Sequence, residues 1–264
     1  MASIQIDEAR LREILEIAKR SDSVELKLTV PAGDLVTLSS RLGLDPIEAE
    51  VRQIIFFDTP DLVLDSHGVA VRARRIQGGA GDSAVKLRPV DPDRLPPKLR
   101  EIAGFKVEVD VMPGGFVCSA SMKGPSKARD IARAMTGDKA IKSLFSKEHR
   151  SFYKDHAPGG LKFKALAPLG PILTLKLKSH PKGFGHKLVT ELWLYPDGSR
   201  ILELSTRCPP RDVIQVATET KLFLRSKGVE LTETQQTKTK AALKYFSSRL
   251  AARLSTDDQT TIDD

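Results

Sequence analysis

Seven short runs of this chain alternate charged and aliphatic residues. They are Val24–Val30, Val69–Arg75, Ala84–Pro89, Phe105–Val111, Leu173–Ser179, Thr190–Tyr195 and Ile201–Arg207. A strand points successive side chains to opposite faces, so each run has one apolar face and one ionised face. Placed on one sheet, the ionised faces gather Lys27, Arg72, Arg74, Lys86, Arg88, Lys106, Lys176, Lys178 and Arg207. They also gather Glu25, Glu108, Asp110, Glu191 and Glu203. Nine cations against five anions leave an excess of four positive charges.

Between these runs the period changes. Leu11, Ile14, Leu15 and Ala18 predict an amphipathic helix within residues 1–22, and Leu35, Leu38 and Leu42 a short one after Pro31. A second strand is expected over about 49–58, ending in the turn formers Asp58, Pro60 and Asp61. Glycines at 78–82 and the stretch Pro196–Ser199 read as hairpin turns, and 91–97 as a loop. Residues of about 126–156 lose the two-residue period and read as a helical insert, while 209–254 read as C-terminal helices. The polar, acidic end, 255–264, reads as a disordered tail. About eight strands in two groups result, with antiparallel pairing expected from their short links. No linker-like stretch separates two cores, so one domain is expected.

Composition narrows the class. Hydrophobic content of 40% with 29% charged residues is ordinary for a globular protein. No apolar run is long enough to cross a bilayer, and the start of the chain has no apolar signal core, so no membrane partner and a cytoplasmic location are expected. Two cysteines, Cys118 and Cys208, make no disulfide framework and no zinc-ligand spacing. A net charge of +8 favours a polyanionic partner. Aromatic residues are only 5%, few for base stacking, and no nucleic-acid motif is present, so nucleic acid is not the expected polyanion.

The alternation alone leaves two geometries open. One is an ordinary sheet with its charged face in water. The other is a closed barrel with a polar interior and an apolar exterior covered by helices. Ionised groups enclosed in a barrel must be paired, hydrated or ligand-bound, because unpaired buried charge costs several kcal/mol. Such an interior makes sense as a binding site.

The order of the strands resembles the CYTH family, the triphosphate tunnel metalloenzymes, which includes class IV adenylyl cyclases, thiamine triphosphatases and inorganic triphosphatases. The family's first-strand signature, ExExK, is matched at Glu25 and Lys27, with Ser23 in place of its first Glu. Phe56–Arg75 looks like the family's aromatic-Asp-Thr segment leading to paired arginines. AVKLRP, KVEVD, TLKLK and YPDGSRILELS follow in the family's order. The resemblance spans about Ser23–Cys208. It implies an α+β fold, an eight-stranded antiparallel tunnel barrel with a charged interior over 23–208, covered by flanking helices.

The resemblance also implies roles. Glu25, Glu108, Asp110 and Glu203 would be ligands for Mg²⁺ or Mn²⁺. Lys27, Arg72, Arg74, Lys86, Arg88, Lys176 and Lys178 would bind phosphate oxygens. Glu25, Lys27, Glu108 and Asp110 would be the catalytic set. The expected partner is a triphosphate-containing small molecule, and a homodimer is compatible with the pattern. Metal-dependent triphosphate hydrolysis is the leading expectation. Adenylyl cyclase activity and a non-catalytic polyphosphate- or nucleotide-binding module are the alternatives. His67 reads as a surface residue, Trp193 as structural, and Gly78–Gly81 lacks the ending of a P-loop.

Overall fold

A computed structural model describes residues 8–33, 35–79, 81–229, 239 and 242–250. Among them nine strands close into a barrel. They are β1 (Ser23–Val30), β2 (Glu50–Asp58), β3 (Val69–Ile76), β4 (Gly81–Leu87), β5 (Phe105–Met112), β6 (Gly115–Ser126), β7 (Ala167–Ser179), β8 (Leu188–Leu194) and β9 (Arg200–Cys208). Their order is β1-β5-β6-β4-β3-β2-β7-β8-β9, closed by the pairing of β9 with β1. Helices flank them: α1 (Glu8–Lys19), α2 (Leu35–Leu42), α3 (Val63–Ser66), α4 (Ala128–Met135), α5 (Lys147–His156), α6 (Val213–Ser226) and α7 (242–250). None of the described helices is long and apolar enough to cross a membrane. The expected tail at 255–264, and the parts of the C-terminal helices at 230–238 and 251–254, lie outside the described residues.

Two expectations need correction. The barrel has nine strands, because Gly115–Ser126 pairs as β6. That segment, GFVCSASMKGPS, alternates Cys118, Ala120 and Met122 with Ser119, Ser121 and Lys123, but with a single charge it lacks the charged alternation that marks the other runs. The pairing is also mixed: β1 runs parallel to β5, with Glu25 opposite Asp110, and antiparallel to β9. Short links imply antiparallel neighbours only for consecutive strands. β1 and β5 are not consecutive.

The chain divides into two compact units. The first comprises Met1–Arg52, Arg88–Ser121 and Leu173–Gln236; the second comprises Gln53–Leu87, Met122–Ile172 and Thr237–Asp264. The expectation of one domain followed from the lack of a linker. The divisions at Arg52, Ser121 and Ile172 fall inside β2, β6 and β7, so no linker stands at these three places.

In the first unit the apolar residues of β1 and β9 (Val30, Leu202, Leu204) pack with Leu42 of α2 and with Phe223 and Leu224 of α6. Phe184 stacks on Phe223 at 4.6 Å between centroids. Ahead of β1, the Asp22 carboxylate accepts the Val107 N–H at 2.7 Å, and the Asp22 N–H donates to the Val107 carbonyl at 2.8 Å. These two bonds set the register of the parallel pair at its start.

The second unit has an aromatic core, in which Phe145 lies 6.2 Å from Phe57 and 5.0 Å from Phe163, and Tyr153 lies 4.2 Å from Phe163. The buried Asp58 carboxylate accepts the backbone N–H groups of Thr59, Leu64 and Asp65, capping α3. Asp58 therefore has a structural task. His149 of α5 is buried. Its ring lies against Gly124, where an added Cβ would come within 2.8 Å of Cε1.

Candidate functional site

In the first unit, neighbouring strands bring the ionised faces into one row. From β5 it passes through Glu108 and Asp110 to Glu25 and Lys27 of β1, which lie opposite Arg207 and Ser205 of β9. It continues through Glu203 of β9, opposite Glu191 of β8, which in turn lies opposite Lys176 of β7. Side-chain exposures are 1% for Asp110, 15% for Glu108, 19% for Glu25 and Lys27, 18% for Lys176 and 20% for Glu191. The alternate residues Val24, Val107, Val109 and Leu204 are fully buried. Both faces of these strands are therefore covered. A solvated charged face, the first of the two open geometries, does not describe this sheet.

The row is tightly paired. Lys27 Nζ lies 2.9 Å from Asp110 Oδ1 and 3.3 Å from Glu25 Oε2. Arg88, in the bend just past β4, reaches Asp110 Oδ2 at 3.5 Å. Arg207 Nη2 stands 2.9 Å from Glu108 Oε1 and 3.4 Å from Glu25 Oε2. Ser205 donates its hydroxyl to Glu25 Oε1 at 3.1 Å, and Lys176 Nζ donates to Glu191 Oε1 at 2.6 Å.

Burial alone would lower the pKa of Lys27, but the charges of Glu25, Asp110 and Glu203 outweigh it and hold the ammonium above its ordinary range. Burial raises Glu25, yet Lys27, Arg207 and the Ser205 hydroxyl leave its carboxyl below the usual value. Lys176 goes the other way: burial prevails over Glu191, and nearby Arg52 adds to it, so its pKa is depressed. Arg52 is itself buried and pairs with Glu50. Both cysteines are free, and burial pushes both thiols up to about 11, which leaves them poor nucleophiles at neutral pH.

The second unit holds its own cluster on the β3–β4 hairpin. Register places Arg74 opposite Asp82, Arg72 opposite Ala84 and Ala70 opposite Lys86. Arg74 clamps Asp82 through Nε at 2.9 Å and Nη2 at 2.8 Å, a bidentate pair, and Lys123 of β6 reaches the same carboxylate at 3.5 Å. Gly81 lets the hairpin turn close, since a Cβ there would meet the Arg74 carbonyl at 2.3 Å and Ile131 at 2.4 Å. Asp82 is held below the ordinary carboxylate range, its desolvation outweighed by Arg74 and Lys123. Lys123 is lowered by burial and by the charges of Arg74 and Arg72.

Most of the expected site residues fall into these two groups: Glu25, Lys27, Arg88, Glu108, Asp110, Lys176 and Glu203 in the first, Arg72, Arg74 and Lys86 in the second. Lys178 stands toward the exposed end of β7, and Lys106 is also exposed. Four participants were not assigned roles from sequence. Glu191 and Arg207 lie on the ionised parity, so the alternation already pointed to them. Asp82 is the hairpin partner of Arg74, which only the register reveals. Lys123 sits on β6, whose sequence alternates small apolar and hydroxyl residues and carries only this one charge.

A hard divalent cation takes several oxygen ligands, usually including carboxylates that are not committed to other cations. Among the described residues no three His, Cys, Asp or Glu side chains gather as a metal-holding group. Of the expected ligands, Glu25 and Glu108 face Arg207, and Asp110 faces Lys27 and Arg88. In this arrangement the donor set does not fit Mg²⁺ or Mn²⁺.

No protein-family model matches the sequence, and no curated protein matches it. Solved structures do. A candidate adenylate cyclase from Bacillus halodurans is 14% identical, with a TM-score of 0.58 over 83% of this chain and 96% of the other. A candidate adenylyl cyclase from Hippeastrum that reveals a dominant triphosphatase activity is 17% identical, with a TM-score of 0.60 over 84% of this chain and 94% of the other. At these identities the likeness establishes the fold alone, a closed barrel with flanking helices.

Proposed function

We propose that this chain binds a small-molecule triphosphate and hydrolyses its terminal phosphoanhydride bond. The observation that carries this reading is the enclosure of the ionised row in the first unit. Buried ion pairs add little net stability over apolar packing, so a row of them is most economically explained as a binding surface. The charge fits the ligand. Lys27 is held as an ammonium above its ordinary range, and the second unit's hairpin has Arg74 and Lys123 around Asp82.

Phosphoryl transfer needs little covalent chemistry from the protein; positioning and charge stabilisation supply most of the catalysis. Lysine and arginine side chains would hold the equatorial oxygens as charge spreads over them. Water would attack the terminal phosphorus, the bridging P–O bond would break, and the water's proton would pass to the phosphate products. Lys27 acts here as a clamp, because an ammonium held above its ordinary pKa is no base. A covalent thiol route has no support from the two buried, protonated cysteines. The named activity of the Hippeastrum structure favours hydrolysis over cyclisation as the first reaction to test.

The test is a product assay with tripolyphosphate, thiamine triphosphate and ATP, each with EDTA, Mg²⁺ and Mn²⁺. Release of orthophosphate is the expected result. Cyclic AMP with diphosphate would replace hydrolysis by cyclase activity, and tight binding without any product would leave a binding module.

A further inference from the structure

The place where the carboxylates of the row come closest to a shared cation is filled by a side chain of the protein. Arg207 Nη2 lies 2.9 Å from Glu108 and 3.4 Å from Glu25, so one nitrogen bridges two carboxylates on two different strands. Those strands are parallel neighbours, and the residue of β1 directly opposite Glu108 is Ser23. A serine there contributes a neutral hydroxyl. The group Glu25, Glu108 and Asp110 is met by Lys27, Arg88 and Arg207, three charges of each sign. A carboxylate at position 23 would tip that balance to a net negative charge.

We infer that Arg207 is a built-in cation occupying the position between Glu25 and Glu108 where a divalent metal would otherwise bridge them, so that triphosphate binding by this chain is independent of metal. The inference rests on the proposed triphosphate reading and adds a specific electrostatic device to it. Two buried carboxylates without a counter-charge would repel a polyphosphate. A guanidinium matches carboxylate geometry, stays protonated in proteins and needs no exchange with solvent ions. Mg²⁺ entering this position would have to displace Arg207 from both carboxylates. Arg207 is 49% exposed at its side chain, so its removal takes away charge with little packing.

The test uses two probes on the full chain. Mn²⁺ alone is titrated and followed by its electron paramagnetic resonance signal, and tripolyphosphate is titrated calorimetrically in EDTA. Wild-type protein is expected to bind tripolyphosphate in EDTA and to leave Mn²⁺ free. Arg207→Ala should gain Mn²⁺ binding and lose about tenfold in metal-free tripolyphosphate affinity, and Arg207→Lys should behave as wild type in both. Arg207→Gln, which keeps the length of the side chain and removes its charge, should also gain Mn²⁺ binding; this arm decides the matter if Arg207→Ala does not fold. Equal Mn²⁺ affinity in wild type and Arg207→Ala would overturn the inference. So would wild-type tripolyphosphate binding that appears only with metal, although the proposed function would then stand. If tripolyphosphate binds under neither condition the proposed function fails, and the metal arm still judges the position of Arg207.

Discussion

The two units turn the same sequence pattern into opposite electrostatic objects. In the first, cations are matched by carboxylates on neighbouring strands, and Lys27, surrounded by Glu25, Asp110 and Glu203, is driven above its ordinary pKa despite burial. In the second, one carboxylate serves several cations, and Lys123 is driven below its ordinary pKa by burial and by Arg74 and Arg72. Strand alternation alone does not distinguish them. The difference arises from what each strand is paired with. A compensated row resists disturbance of either partner, whereas Arg74 and Lys123 share a single carboxylate between them.

The comparison breaks most visibly at Lys27. Lys27→Met leaves Glu25 and Asp110 facing each other in an enclosed row, and a loss of about 3 kcal/mol is expected in urea unfolding, together with loss of tripolyphosphate binding. Lys178→Ala, at an exposed position, should shift stability by less than about 0.5 kcal/mol. Equal effects would mean that the row is not a compensated network.

In the second unit Asp82→Asn keeps the shape and removes the carboxylate charge that Arg74 and Lys123 share. Affinity for tripolyphosphate should rise a few-fold, with a steeper fall as salt is added. Reduced affinity would mean that Asp82 serves chiefly to orient Arg74. A double-mutant cycle of Asp82→Asn and Lys123→Ala then measures how strongly the two are coupled within the second unit. Coupling above about 0.5 kcal/mol in urea unfolding is expected, and strict additivity would mean that Lys123 does not depend on Asp82.

The pH dependence gives the smaller effects. Because the folded pKa of Glu25 lies below its unfolded value, its pairing stabilises the fold fully above the usual carboxylate range, about 4.3. That contribution is lost as pH falls through the folded value. Urea midpoints should therefore hold level at neutral pH and fall in acid, with a shallower acid limb in Glu25→Gln. Lys123 and Lys176 have depressed pKa values, and a bound polyanion favours their charged forms. Tripolyphosphate binding in mildly alkaline solution should take up protons, seen as a binding enthalpy that depends on the buffer. Arg74→Ala should alter that uptake through its loss beside Lys123.

Much of the site was legible because charge alternation is a local signal. Glu25, Lys27, Glu108, Asp110 and Lys176 each stand out within a few residues of their own strand. Asp82 was hidden in a glycine-rich turn until the register put it opposite Arg74. Lys123 was hidden because it is the only charged residue of β6, whose small-residue alternation is a faint signal, and the same gap reduced the strand count by one. The parallel pairing of β1 with β5 was misread for a related reason: hairpin links speak only for consecutive strands.

By itself the sequence determined which residues share a strand face, since that follows from the geometry of an extended chain. It also determined the excess of basic over acidic groups on those faces and the serine at position 23. Only the tertiary structure decided that the ionised face of the first unit is enclosed, which cation meets which carboxylate, and that Arg207 bridges Glu25 and Glu108. Those outcomes depend on strand neighbours far apart in the chain. Ion pairing falls off over a few ångströms, so register, which no single strand carries, chose the partners.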